Sequence, residues 1–191
     1  MKDNISNIVK EYLLLFPEET KRQEKLVNFL KAYTLKETTD WNNFDGHIVA
    51  SGFVYSKEDN KFLVLYHRDF KMYIYPGGHV DDTDSSILDA AIRETKEETG
   101  LTNFELFEFT ENENIPIDID THEIGYNVVL NLPKHFHFDF RYLFTVNKIS
   151  DVHIDPEESA NYKWVDINEI RKIRGCEIAI SKIEKLINKK G

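Results

Sequence analysis

The sequence predicts an α/β (α+β) protein, a mixed β-sheet with helices packed on it. Short β-branched and aromatic runs alternate along the chain with segments of helical periodicity. The two kinds are interspersed around one glycine-rich corner, Pro76-Gly77-Gly78. The length, 191 residues, suits one domain of roughly 150 residues with an appendage. A chain of this size buries roughly 70% of its unfolded surface and folds without a disulfide or a structural metal.

Each element follows from its pattern. Ile5, Ile8, Val9, Tyr12, Leu13 and Phe16 recur at helical spacing, with Asp3 or Asn4 as N-cap. Pro17 breaks that run, and Leu26, Val27, Phe29, Leu30 and Tyr33 mark a second amphipathic helix. The polar segment from Lys36 to Asn43 reads as a linker. His47 to Tyr55 and Lys61 to Tyr66 are strands joined through the turn-rich Ser-Lys-Glu-Asp-Asn spacer of a hairpin. Met72 to Tyr75 is a short strand that stops at Pro76. Asp84 to Glu98 is a helix, Asn103 to Phe109 and Ile117 to Glu123 are strands, and Lys134 to Val146 is a longer one. In it His135, His137, Asp139 and Arg141 alternate with Phe136, Phe138, Phe140 and Tyr142, which predicts one polar and one buried face. Tyr162 to Val165 is a last strand. Asp166 caps a helix from Ile167 to Arg174, and Glu177 to Asn188 is another.

Acidic residues exceed basic ones, 34 against 24, for a net charge of −10. That argues against a stable complex with nucleic acid, which needs a basic surface. Small anionic substrates stay open, because a divalent cation can supply the missing positive charge. No apolar run approaches the roughly 20 residues of a membrane span, and no secretory signal is evident. The single cysteine, Cys176, forms no internal disulfide, and together these features point to the cytoplasm.

The most informative stretch is PGGHVDDTDSSILDAAIRETKEETGL, from Pro76 to Leu101. Ser85 or Ser86 caps the helix, and Leu88, Ala91, Ile92 and Thr95 form the stripe that packs on the sheet. Glu94, Glu97 and Glu98 stand at i, i+3 and i+4 and project together. Gly100 ends the helix, with Leu101 as its hydrophobic partner. Three carboxylates on one face repel each other near a helix C-terminus, where the dipole also disfavours anions. Clustered oxygen ligands of this kind suit Mg²⁺ or Mn²⁺. On its own, ETKEETG reads as a solvated face with Lys96 and Arg93 as counterions. The upstream Gly-Gly turn shifts the reading toward a metal site.

That stretch resembles the Nudix box, G-x5-E-x7-R-E-U-x-E-E-x-G-U with U aliphatic. Arg93-Glu94-Thr95-Lys96-Glu97-Glu98-Thr99-Gly100-Leu101 fits its second half, with Thr95 at an aliphatic position. The first half departs from it. Asp84 stands where the glutamate is expected, and eight residues rather than seven separate it from Arg93. A bacterial group with a PGGH-x-D opening is similar. The resemblance covers residues 44 to about 175. It implies a Nudix-like α/β/α sandwich over residues 44–191, preceded by an N-terminal helical extension, residues 1–40. It also implies hydrolysis of a nucleoside diphosphate linked to another moiety, by water attack on phosphorus. The metal ligands implied are Gly78, through its backbone carbonyl, with Glu94, Glu97 and Glu98. Glu97 and Glu98 are then catalytic, Arg93 orients a glutamate, and the base comes from a later loop, where Glu158 is preferred to Glu157. Two alternatives are carried: a non-catalytic Nudix-fold module that senses a nucleotide or metabolite, and a prenyl diphosphate isomerase, for which Cys176 would be the one candidate thiol.

His47, His79, His122, His135 and His137 are unusually placed. A His-x-His pair on one strand face suits zinc, but neither a cysteine nor a third close ligand is evident. The expectation is that His79, His135, His137 and Arg141 line the substrate pocket, unless Asp139 pairs with Arg141 and makes that face structural. The N-terminal helices are candidates for capping the pocket, forming a homodimer seam or packing on the domain.

Overall fold

A computed structural model describes residues 5–126 and 131–190 of the chain. The proposed caps Asp3 and Asn4 lie outside them. Helices α1 (Ile5–Leu15) and α2 (Glu24–Ala32) flank a 3-10 turn at Pro17–Glu19, where proline breaks the first helix. The segment expected as a linker instead contains a short helix, α3 (Leu35–Thr39). Thr34 accepts from the Glu37 amide and Glu37 accepts from the Thr34 amide, a complete capping box.

The sheet is built on β1 (His47–Ser56) and β7 (His135–Val146), parallel neighbours in unbroken register from His47 opposite His137 to Ser56 opposite Val146. Strands β2 (Lys61–His67) and β4 (Gly77–His79) run antiparallel to β1. The edge strands β3 (Met72–Ile74) and β8 (Ser159–Val165) pair with β2. On the far side, β5 (Glu105–Leu106) and β6 (Asp118–Ile124) pair antiparallel with β7. Two expectations change here. The glycine corner is itself a strand, β4, held by ladder bonds to β1. The Asn103–Phe109 strand shrinks to two residues, because Phe104 and Phe109 are satisfied by packing on the core rather than by pairing.

Both faces of the sheet are covered, as an α/β/α sandwich requires. Helix α4 (Ile87–Thr99) lies on one face together with α1 and α2. Ala90 and Ala91 share a core there with Ile48, Ala50, Tyr12, Leu26 and Phe140. Helix α6 (Glu177–Lys190) and the short α5 (Ile167–Arg171) cover the other, with Ile170, Ala179, Ile180 and Ile183 against Phe53, Tyr55, Phe62 and Val64. The N-terminal helices thus share the main core. Among the described residues no helix is long and apolar enough to cross a membrane.

The polar face of β7 is buried, which the alternation alone did not predict. Arg141 is 1% exposed. It donates to Asp139 (2.8 Å), Asp118 (3.3 Å), Asp120 (2.9 Å) and the carbonyl of Gly175 (2.6 Å). Arg22 reaches Asp118 and Asp120 from the N-terminal segment, and Lys182 of α6 reaches Asp118, Glu19 and the Tyr12 hydroxyl. The Tyr75 hydroxyl donates to the same Asp139 oxygen as Arg141, and the Ser51 hydroxyl donates to the other. Buried polar groups persist only when paired in this way.

Burial alone would lift Asp118 and Asp120. The hydrogen bond from Arg22 with the charges of Lys182 and Arg141 outweighs it at Asp118, and His122 with Arg141 does so at Asp120, so both sit below the usual carboxylate range. A carboxyl with a depressed native pKa stabilises the fold above its unfolded value, about 3.9, and loses that contribution as pH falls. Urea midpoints are therefore expected to drop below about pH 4. Asp118→Asn, which leaves three cations short of a partner, should cost about 3–5 kcal/mol at neutral pH; an unchanged urea midpoint would show that the network is not integral to the fold.

Candidate active site

Helix α4 carries the carboxylates because its ends are fixed. Ser86 accepts from the Asp89 amide at the start, and Gly100 closes the end at φ 66°, a left-handed position that suits glycine. The helix begins at Ile87 rather than Asp84, because Asp84 closes a turn onto the Asp81 carbonyl at 3.1 Å and the chain bends through Ser85 and Ser86 before the helix starts. Ile87, Leu88, Ala91 and Thr95 are buried against the sheet, which turns Glu94 and Glu98 toward β4.

The contact at that corner is close. The Gly77 amide donates to Glu98 Oε1 at 2.8 Å. A Cβ on Gly78 would meet the Glu94 carboxylate at 2.7 Å, so only glycine lets this strand and that side chain approach. Arg93 ties the parts together. It grips Asp84 through two nitrogens, both at 3.0 Å, and donates to Glu94 (2.8 Å), Glu97 (2.9 Å) and the His79 carbonyl (2.8 Å). Asp84, the residue at which the sequence departs from the box, is therefore the partner that anchors Arg93. It also accepts from the Asp81 amide at 2.7 Å.

Electrostatics set these carboxyls apart. Burial pushes Glu98 up to about 8, offset in part by the Gly77 amide and reinforced by the charges of Glu158 and Glu94. Burial pushes Glu94 up to about 7 against the pull of Arg93. Glu97 is exposed. Glu158, on the loop before β8, lies within the field of both buried glutamates, and loss of water with the charges of Asp155 and Glu97 raises it as well. The loop is docked on the end of α4 through His153 N to the Thr99 carbonyl at 2.8 Å. Of the two loop glutamates, it is Glu158 whose charge reaches the cluster. A hard divalent cation would relieve this accumulation, and the carboxylates of Glu94 and Glu98 gathered at the glycine strand fit that chemistry.

The five histidines converge on the sheet face opposite α4. His47, His122 and His137 stand in one row across β1, β6 and β7, and His79 stands one step along β1. His47 Nε2 lies 3.2 Å from His79 Nε2, and His135 Nε2 lies 3.2 Å from His137 Nε2. Burial and the neighbouring imidazoles hold His47 down to about 4 and His137 down to about 2. His79, His135 and His137 thus come together, but Arg141 does not join them. It is enclosed in the carboxylate network, with Asp139 as the partner the alternative reading named. Cys176 is fully buried in the core under α6, and burial pushes its thiol up to about 12, which leaves it inert as an acid or nucleophile.

A mixed sheet with a glycine strand pressed against a glutamate-lined helix defines a Nudix-type domain. Residues 46–184 match the family model of the NUDIX domain. A protein of Lactococcus lactis subsp. cremoris named "Probable DHNTP pyrophosphohydrolase" is 31% identical over 153 residues, covering 78% of this chain and 81% of that one. In fold, the chain is similar to a C. elegans Ap4A hydrolase in a binary complex (TM-score 0.56, 22% identity, 74% of this chain and 98% of that one). It is also similar to the E. coli dihydroneopterin triphosphate pyrophosphohydrolase (TM-score 0.54, 18% identity, 74% and 95%). The chain belongs to the NUDIX family and is a hydrolase acting on pyrophosphate bonds.

The corner makes a direct prediction. Gly78→Ala forces the Glu94 carboxylate aside, and because that carboxylate ends a flexible side chain the fold survives. The rise in melting temperature on adding Mg²⁺ or Mn²⁺, expected for a ligand bound only by the folded state, should shrink by at least half. An undiminished shift would separate Gly78 and Glu94 from cation binding.

Proposed function

We propose that this chain is a divalent-cation-dependent pyrophosphohydrolase that cleaves a nucleoside diphosphate linked to another moiety. The observation that carries this reading is the pair Glu94 and Glu98, gathered at the Gly77-Gly78 strand with Glu98 buried and Glu94 half-buried, and both pushed well above the usual carboxylate range. Such a pair is costly to keep ionised without a cation. The Glu94, Glu97 and Glu98 carboxylates with the Gly78 carbonyl form a hard oxygen set suited to Mg²⁺ or Mn²⁺. A bound cation would supply charge neutralisation for the diphosphate and acidify water for attack on phosphorus.

The remaining work falls to the chain's own groups. Arg93 holds Glu94 and Glu97 in orientation and anchors itself on Asp84. The Gly77 amide fixes one oxygen of Glu98. Glu158 approaches the cluster from a separate loop and carries a raised proton affinity, which suits a group that takes a proton from water. We assign the reaction to residues 44–191, with residues 1–40 as a helical extension, and place the protein in the cytoplasm on the strength of its single, unpaired cysteine. The Lactococcus relative is named for DHNTP, which supports a nucleotide-type substrate. A purely sensing role would not require Glu94, Glu97 and Glu98 together.

Phosphate release from a panel of nucleotide-type diphosphates, with Mg²⁺ or Mn²⁺ present, tests the reading. Turnover of at least one substrate is expected. Glu98→Gln should lower kcat by roughly 100-fold or more while the unfolding transition is kept. Wild-type turnover by that variant at saturating Mg²⁺ would remove Glu98 from the mechanism. Tight binding of a nucleotide without turnover would favour the sensing module.

A further inference from the structure

We propose that His47, His79 and His137 form a second metal site, for a transition-metal ion of the zinc class, separate from the carboxylate site. One nitrogen from each ring can be chosen so that all three lie within 4.8 Å of one another. Nitrogens bound to one tetrahedral ion at about 2.0–2.1 Å stand roughly 3.3–3.4 Å apart, and His47 Nε2 and His79 Nε2 are already 3.2 Å apart. The sequence offered only His135 and His137. Of that pair only His137 belongs to the proposed set; the fold supplies the other two ligands, His47 and His79, from the neighbouring strands β1 and β4.

The chemistry of the donors selects the ion. Three imidazoles without a carboxylate suit Zn²⁺ and its neighbours and not Mg²⁺ or Ca²⁺. His47 Nδ1 faces the carbonyl of Asn43 at 3.5 Å, which leaves Nε2 with its lone pair directed at the cluster. The proton between His47 and His79 then sits on His79 Nε2 in the free protein. On binding it moves to Nδ1 of His79, an exposed side chain open to solvent, so the ring stays neutral and no charge is lost. His135 lies beside the set, with its Nε2 3.2 Å from His137 Nε2 and its Nδ1 2.8 Å from the Pro133 carbonyl.

A phosphate-binding surface is the competing use of these rings. Arg141, the guanidinium of this strand face, would be its strongest donor, and it gives its contacts to Asp118, Asp120, Asp139 and Gly175 instead. Placement adds a consequence. Successive residues of a strand face opposite ways, so Gly78 meets Glu94 on one side of β4 while His79 joins the histidines on the other. An ion at the histidines would clamp β4 to β1 and β7 behind the carboxylate site.

Cobalt(II), which adopts the zinc geometry and absorbs strongly in the visible when four-coordinate, is the probe. Chelator-treated full-length protein is titrated with Co²⁺, and zinc is then added as competitor. Wild type and Glu98→Gln should each take one equivalent with strong visible bands that zinc abolishes. His79→Ala, at an exposed position that tolerates truncation, and His137→Ala should lose the bands and bind Co²⁺ at least tenfold more weakly. The proposal is overturned if the wild type shows no strong bands, or if the bands vanish in Glu98→Gln and persist in the histidine variants. It is equally overturned if His79→Ala changes KM for a hydrolysed substrate while the wild type binds no zinc, which would make the cluster a substrate surface. Loss of turnover in Glu98→Gln with the bands intact separates this proposal from the reading of the carboxylate site.

Discussion

The parallel pairing of β1 with β7 is the constraint on which the other features depend. Ten successive positions are matched, from His47 with His137 to Ser56 with Val146. A slip of one residue would turn one strand over relative to the other. If β7 slipped against β1, Phe138 and Phe140 would leave the core beneath α4, and His137, Asp139 and Arg141 would enter it. The side chains on the two faces therefore differ too much in polarity for any other register to be tolerated. With that register set, β4 can bond to β1 only where Gly78 opposes Ala50, which is the position that brings the glycine to Glu94.

The charges around Arg141 reinforce that pairing more than they add net stability. Burying ions costs several kcal/mol each, and the mutual attraction repays this only when the geometry is complete. Here it is complete for one arrangement. Arg141 must face Asp118 and Asp120 across β6, and Arg22 and Lys182 must arrive from segments at opposite ends of the sequence. A misplaced N-terminal segment or α6 would leave Asp118 buried and unpaired. The network thus locks residues outside the shared family core to the centre of the sheet. That gives the N-terminal helices a structural role which their amphipathic pattern alone could not reveal.

Much of this was legible in the sequence, for reasons that differ by element. The site helix was legible because each of its parts carries a local signal: the Ser86 cap, the apolar stripe, the Glu94, Glu97, Glu98 spacing and the Gly100 end. Helix α3 was equally marked by Thr34-x-x-Glu37 but was hidden by a composition that suggested a linker. The Asn103–Phe109 run misled because aromatic residues that pack on a core look the same as those that pair in a strand. The burial of Arg141 depended on partners from Arg22 to Lys182, and the meeting of His47 with His137 depended on strand register. Neither is a local property, so neither could be read from spacing.

The same division explains how one three-residue strand can belong to both proposed sites. Backbone hydrogen bonding uses the edges of β4, while its two faces remain free for side chains. On one face the lack of a side chain at Gly78 is what matters, because it admits the Glu94 carboxylate. On the other, His79 contributes a softer nitrogen to a group of imidazoles with no carboxylate among the three proposed ligands. On the two proposals, hard and borderline cations would find different partners on opposite faces of β4, with donor type sorting them. Because Arg93 also bonds the His79 carbonyl, its guanidinium joins the two sides. A shift of β4 caused by occupancy on the histidine side would reach Glu94, Glu97 and Asp84 through that one residue.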